Sequence, residues 1–415
     1  MAHPNNKTLG EICDEVGGII RTGPFGSQLH QSDYQEEGLP VVMPKDIVNG
    51  KIALDSIARI GKDDENRLQD HKLRKGDIVF ARRGDVGRCA LIKEREDGWL
   101  CGTGSLRVSL GDKVIDPTFL FYYLNLSNII GWIQKRAIGA TLPNLNTSII
   151  RDIPISYPPL PTQRHIADIL SAYDDLIENH TRRIRILEQM AQAIYQEWFG
   201  KVDKESLPKG WNISKFIDVC NELIDGDWIE TKDQGGEDYR LLQVSNVGLG
   251  DFVETGNFRY ITQETFERLN CNEVVLGDIL ISRMPKPIGR GWLVTKMSWR
   301  MITAVDVAIA RPNPKLLNPF YCIYWLNSSE TLAKSEQHAS GTTRPRITRR
   351  DLAGFEMVIP PIEFQNKFGK IAGELYTLQT NLRRKNANLR QTRDLLLPRL
   401  VGGEVEVSED KRRRN

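Results

Sequence analysis

The chain has 415 residues, enough for two or more domains, each with its own core. Its 40% hydrophobic and 27% charged content argues against general disorder, and a net charge of only +2 excludes a uniformly polybasic binder of nucleic acid. Any such function must come from local patches. Six cysteines (Cys13, Cys89, Cys101, Cys220, Cys271, Cys322) form no Cys-x-x-Cys pair and stand by no histidine cluster, which argues against zinc and for reduced, partly buried thiols. No stretch approaches the roughly 18 apolar residues of a membrane span, and residues 1–7 carry no apolar leader, so a cytoplasmic protein is expected.

In chain order, residues 8–13 predict a short amphipathic opener. Thr22-Gly23-Pro24-Phe25-Gly26-Ser27 follows as a loop of turn-tolerant residues. Strands are expected over 39–43, 52–58, 77–81 and 89–93, with the basic, glycine-rich Arg82-Arg83-Gly84-Asp85-Val86-Gly87-Arg88 joining the last two. Asp116-Pro117 supplies an N-cap and a first-turn proline for a helix over 118–125, and a second helix is expected over 129–137. After the proline knot Pro158-Pro159-Leu160-Pro161 comes a heptad ladder: Ile166, Leu170, Tyr173, Ile177, His180, Ile184, Leu187, Ala191, Ile194 and Trp198. It is apolar except at His180, so this long helix requires a partner.

The partner is in the same chain. An offset of 202 (Gly341 minus Gly139) carries the ladder onto Phe368, Ala372, Leu375, Gln379, Leu382, Asn386, Leu389, Arg393, Leu396 and Leu400, after a second knot, Ile359-Pro360-Pro361. Earlier landmarks repeat as well. Gly76-Asp77-Ile78-Val79 matches Gly277-Asp278-Ile279-Leu280, Gly87-Arg88 matches Gly289-Arg290, and Asp116-Pro117 matches Asn318-Pro319. The chain therefore holds two copies of one unit, a globular module followed by a long helix, joined near Pro208-Lys209-Gly210. Two such copies suggest a pseudo-two-fold arrangement, and at about 1.5 Å per residue the first ladder spans about 50 Å.

The order Gly23-Pro24-Phe25-Gly26-Ser27, Pro40-Val41-Val42-Met43-Pro44-Lys45-Asp46-Ile47, Leu142-Pro143-Asn144-Leu145-Asn146, Pro158-Pro159-Leu160-Pro161-Thr162-Gln163 and a long helix, with Leu207-Pro208-Lys209-Gly210-Trp211 opening the second copy, resembles the specificity subunit of type I restriction-modification systems. The likeness covers nearly the whole chain. It departs where Glu363-Phe364 replaces Pro161-Thr162 and where the second ladder turns polar. The resemblance implies an α+β fold: two tandem mixed α/β target recognition domains separated by two long helices that pair as an antiparallel coiled coil. The expected boundaries are recognition domains at 1–157 and 201–358, helical regions at 158–200 and 359–402, and a flexible basic tail at 403–415. It further implies a non-catalytic subunit with no cofactor of its own, bound to double-stranded DNA, two modification subunits and two restriction subunits; the two-fold repeat of diverged copies agrees with a bipartite, asymmetric target of unlike half-sites, with the helix length setting an unread spacer. Those partners would use S-adenosylmethionine, ATP and Mg2+; no membrane is involved.

Candidate DNA contacts follow from loop position and charge. Gly26, Ser27 and Gln28 lie on a loop that either approaches the DNA backbone closely or merely turns the chain. Arg82, Arg83 and Arg88, with Arg283, Lys286 and Arg290 in the second copy, read either as guanidinium and ammonium contacts to phosphates and guanine edges or as exposed charged turns. Lys45 and Lys232 complete the set with Arg344 and Arg346, whose counterparts Leu142 and Asn144 are uncharged, so positioning the base of the helix is the competing role for that loop. His180, Gln379, Asn386 and Arg393 are expected to fix helix register rather than catalyse. Arg182-Arg183-Ile184-Arg185 and Arg383-Arg384-Lys385 read as solvated faces, and 411–414 as a frayed end.

Two rival classes remain. Asn318-Pro319-Phe320-Tyr321 resembles the Asn/Asp-Pro-Pro-Tyr/Phe motif of adenine methyltransferases, but its copy Asp116-Pro117-Thr118-Phe119 lacks the aromatic placement and both fit helix starts. No glycine-rich nucleotide turn or catalytic triad spacing accompanies it. A coiled-coil scaffold that never touches DNA explains the helices but not two modules with matched basic loops.

Overall fold

The computed structural model describes residues 5–137 and 144–405. Leu142 and Pro143 of the Leu142-Pro143-Asn144 stretch and the basic end over 411–414 lie outside the described residues. The chain divides into two compact units, one comprising 1–180 with 384–415 and the other 181–383.

The first unit opens with the strand Asn5–Thr8, which pairs antiparallel with Pro154–Tyr157. Thr8 then caps the helix Leu9–Val16 in a reciprocal capping box with Glu11, so the opener runs longer than the sequence pattern suggests. A four-stranded antiparallel sheet follows, in the order Ile19–Thr22, Ser105–Ser109, Ile78–Ala81, Cys89–Leu91. A second sheet sets Leu39–Val42 between Ala58–Ile60 and, in parallel, Leu100–Cys101. The strand expected over 52–58 does not form. Ile52 pairs with Ile47 in a short hairpin, a turn closed by Ile57 N to Leu54 O (3.3 Å) intervenes, and the chain joins a different sheet at Ala58. Leu54 is consequently exposed, so its place in the alternation was accidental.

Asp116 caps Pro117–Leu124 by accepting from Thr118 N and Phe119 N, both at 2.9 Å, as its sequence predicts. The helices Pro117–Leu124 and Ser127–Arg136 close over one face of the first sheet, burying Phe80, Leu106, Phe119, Leu124 and Ile133. The second unit repeats the plan. Its sheet runs Cys220–Ile224, Val307–Pro312, Ile279–Ser282, Gly291–Leu293, and its smaller sheet sets Tyr239–Leu242 parallel to Arg300–Thr303. Asn318 caps Pro319–Leu326 from the place that Asp116 holds, which absorbs the methyltransferase-like motif into a helix start.

The long helices span Leu160–Phe199 and Ile362–Val401, each extending past its ladder at both ends. Every ladder position is buried or half-buried. In the first unit, Asp174 pairs with Arg393, and His180 Nδ1 meets Asn386 Oδ1 at 2.9 Å, so numbers rise along one segment as they fall along the other. Asn386 Nδ2 also donates to Ile177 O at 3.3 Å. In the second unit, Glu188 pairs with Arg383 while Trp198 packs on Phe364 and Tyr195 on Phe368, again antiparallel. The polar ladder residues His180, Asn386 and Arg393 thus make directional contacts that a slipped register would break.

Each long helix is tied to its own module by one glutamine. Gln163 Oε1 accepts from Asp116 N (2.8 Å), and its Nε2 donates to Val114 O and Pro158 O (3.2 and 2.8 Å). Gln365 repeats all three bonds on Asn318 N, Leu316 O and Pro360 O, at 2.9, 2.9 and 2.8 Å. Both glutamines are fully buried, which makes three satisfied bonds a requirement rather than a bonus.

Candidate nucleic-acid interface

Antiparallel order brings three loops to one end of the main sheet in each module. In the first, Thr22 lies opposite Leu106 and Ala81 opposite Ser105, so the chain leaves Ile19–Thr22 and Ile78–Ala81 at the same end. The loop beginning at Gly23 packs on the turn before Ser105: Gly23 N donates to Ser105 O at 2.9 Å, and a Cβ on Gly23 would come within 2.1 Å of Gly102 O. Only glycine fits there. The third loop arrives through Leu145, whose N–H donates to Arg82 O (2.9 Å) and whose carbonyl accepts from Arg82 Nε (2.8 Å), with Asn144 bridged to Arg83.

The second module builds the same end. Gly226 stands in the place of Gly23, where a Cβ would fall 2.2 Å from Ala304 O, and Asp227 N donates to Thr303 O at 2.8 Å. Ile347 N reaches Arg283 O at 3.2 Å, as Leu145 reaches Arg82, and Ser340 and Arg346 exchange both backbone bonds at 3.0 Å. Hydrogen bonds to the main chain thus set all three loops on the sheet in both copies.

The candidate cations separate into two kinds. Arg88 donates to Ile47 O (3.0 Å) and Pro44 O (3.5 Å), and Arg290 donates to the equivalent Val247 O (2.6 Å) and Val244 O (2.7 Å) and also to Pro285 O and Pro287 O. Arg290 is buried, and burial pulls its pKa down. These two arginines clamp one turn in both modules, so most of their donors serve the main chain. Arg283 is likewise buried; it donates to Val305 O (2.7 Å) and pairs with Asp225 and Asp306 at 3.3 and 3.6 Å. Arg82 is half-buried, with burial lowering its pKa.

The remaining candidates face solvent. Arg83 and Arg344 are exposed, with no side-chain partner among the described residues. Lys45 donates to Ser56 O (2.9 Å), Lys286 pairs with Glu336 (2.7 Å), Lys232 with Glu230 (2.8 Å) and Arg346 with Asp306 (3.1 Å), all on exposed side chains. Gly26 and Ser27 are exposed, and Gln28 Oε1 accepts from Phe25 N at 3.0 Å to close the turn between them. The six cysteines are free, and burial pushes Cys89, Cys101 and Cys220 up to about 12, which removes thiolate reactivity at neutral pH. Among the described residues, no group of three or more His, Cys, Asp or Glu side chains is placed to hold a metal, and no helix is long and apolar enough to cross a membrane.

The family model "Type I restriction modification DNA specificity domain" matches residues 5–189. The chain is 25% identical over 424 residues to the type I restriction enzyme MjaIX specificity subunit of Methanocaldococcus jannaschii, covering 97% of this chain and 94% of that one. It is 22% identical to the EcoKI specificity subunit of Escherichia coli, over 93% and 87% of the two chains. The chain is thus similar over nearly its whole length to type I restriction enzyme specificity subunits. Members of that family are non-catalytic DNA-recognition subunits. The fold agrees: the crystal structure of a type I restriction-modification S subunit from M. genitalium matches with a TM-score of 0.59 at 18% identity, covering 96% of each chain.

The loop end of each module is the candidate interface, and one of its features is not evident from sequence. The Gly23 and Gly226 loops each expose an aromatic ring two residues on, Phe25 (60% exposed) and Trp228 (70%). The available signal was the offset of 203 that aligns the two glycines, one more than the 202 of the helices.

Proposed function

We propose that this specificity subunit reads a bipartite, asymmetric site in double-stranded DNA, one recognition module per half-site, with an unread spacer between. The observation that carries this reading is the recurrence, in both modules, of the same three-loop cluster on the same end of the same sheet, with different side chains mounted on it. Recurrence of the scaffold supports a common task, and divergence of its loops supports two different sequences. The proposed boundaries are recognition domains at 1–157 and 201–358, with the helical regions 158–200 and 359–402 pairing as one antiparallel coiled coil. The antiparallel contacts inside each unit support that pairing. Exposed Arg83, Arg344, Lys45, Lys232, Lys286 and Arg346 and the backbone of Gly26 to Gln28 serve as phosphate or base contacts, whereas Arg82, Arg88, Arg283 and Arg290 hold the loops in shape.

The chemistry belongs to partners. Two modification subunits methylate with S-adenosylmethionine, and two restriction subunits driven by ATP and Mg2+ cut unmodified DNA in the cytoplasm, all directed by this chain. The test is long-read mapping of methylated sites in cells that express the chain with its methyltransferase partner. A split motif with a fixed unread gap is the expected result. A continuous motif contradicts the two-module reading, and methylation by this chain without a partner restores the enzyme reading.

A further inference from the structure

Phe25 and Trp228 are large apolar side chains held in water at corresponding positions of the two modules. Burying such a ring is favourable, so leaving both exposed forgoes stabilisation twice. Neither ring has an aromatic or cationic neighbour among the described residues, unlike exposed Phe258, which carries Arg240 at 4.8 Å. Their loops are nevertheless built to hold them. Phe25 follows Pro24 and is framed by a turn in which Gln28 N and Leu29 N donate to Phe25 O (2.8 and 3.2 Å) while Phe25 N donates to Gln28 Oε1 (3.0 Å). Trp228 follows Asp227, whose carboxylate accepts from Asn272 N (3.0 Å) and Asn272 Nδ2 (3.1 Å), and precedes Glu230, which pairs with Lys232. A ring fixed in place in advance loses little freedom on binding.

Charge decides what such a ring meets. Phe25 shares its sheet end with exposed Arg83 and Trp228 shares its own with exposed Arg344, neither arginine having a side-chain partner among the described residues, while Lys286 and Arg346 are paired with Glu336 and Asp306. An exposed ring at the same sheet end as an exposed arginine suits a polyanion with stacked aromatic faces rather than an apolar protein groove. We infer that Phe25 and Trp228 are paired base-stacking wedges, each entering a base step of the half-site read by its own module. The inference rests on the DNA-reading function proposed above and adds specific residues and a mode of contact to it. A wedge reads how easily a step unstacks, so it contributes specificity where no hydrogen bond reaches.

The test uses the complex of the full chain with its methyltransferase partner and duplexes of the mapped site carrying 2-aminopurine at successive positions of each half-site. The wild-type complex is expected to raise fluorescence at one step per half-site. Phe25→Ala should abolish the rise in one half-site only and weaken specific binding roughly tenfold, Trp228→Ala should do the same in the other, and Phe25→Trp and Trp228→Phe should restore it. Thermal unfolding of the alanine variants should match wild type, because both rings are exposed. Wild-type binding and unchanged fluorescence in both alanine variants would overturn the wedges while leaving the DNA-reading function standing. Loss of partner assembly with intact 2-aminopurine signals would instead assign the rings to a protein contact. A wild-type complex that binds no DNA overturns the function itself.

Discussion

The two modules share their buried polar bonds and differ in their surface cations. Gln163 and Gln365 make the same three bonds, Arg88 and Arg290 clamp the same turn, and the buried Asp77 and Asp278 accept from Arg74 N and Val275 N at 2.8 and 2.9 Å. At the loop end the copies part. Arg83 has no side-chain partner among the described residues of the first, whereas in the second the cations Lys232, Lys286 and Arg346 are paired with Glu230, Glu336 and Asp306. Groups whose loss leaves buried polar atoms unpaired stayed through duplication; groups facing solvent changed. A cation already held by a carboxylate must surrender that partner to a phosphate, so under the proposed DNA-reading function the first module is expected to gain more from the DNA backbone and the second to depend more on shape and on Arg344.

That contrast is breakable at several strengths. Arg290→Ala strands four carbonyl bonds around a buried site and is expected to cost about 4 kcal/mol, against about 2 for Arg88→Ala; urea unfolding measures both. Equal costs would show that the two clamps are not graded by burial. Gln163→Ala and Gln365→Ala should each cost about 3 kcal/mol by the same measurement, alike because their bonds are alike. Arg83→Ala should leave stability unchanged, weaken DNA binding several-fold and flatten the dependence of log affinity on log salt by about one unit. Lys286→Ala should change that slope less, since Glu336 already holds it. If Lys286→Ala flattens it as much as Arg83→Ala, carboxylate pairing does not tax the second module.

The smallest effect is a pH difference between the units. His71 in the first module is half-buried with Nδ1 unpartnered, and burial, followed by the charge of Arg21, lowers its pKa below 6.5. As pH falls below 6.5, the unfolded chain takes up a proton that the folded module resists, so stability falls with acidification and is regained above 6.5. The second module has Cys271 or Glu273 near the matching place and no histidine there. Thermal scans from pH 7 to pH 5.5 should show a His71-dependent loss in the wild type that His71→Gln removes; a loss of the same size in His71→Gln would assign it elsewhere.

Much of the architecture was legible because duplication writes it twice. The offset of 202 located the second ladder with its polar interruptions, and the Asp-Pro and Asn-Pro pairs located two helix starts, since capping chemistry is local. The end strands Asn5–Thr8 and Asn212–Lys215 were not legible, because each is short, polar and paired with a partner more than 140 residues away. The 52–58 strand failed because alternation survives across a turn that only tertiary pairing reveals. At the loop end, glycines were readable as backbone constraints, but Arg83 and Arg88 look alike in sequence. Burial alone separates a contact that faces solvent from a clamp on the main chain. The ring of Phe25 was visible throughout, yet nothing in a single copy marks an aromatic as exposed until Trp228 repeats it.

The most direct test of the two-module account replaces residues 201–358 with a second copy of residues 1–157 and maps the methylated sites made with the methyltransferase partner. Two identical modules related by the repeat should convert the asymmetric target into a palindrome of the first half-site with its gap retained. An unchanged asymmetric motif, made by a chain that assembles normally, would contradict the assignment of one half-site to each module.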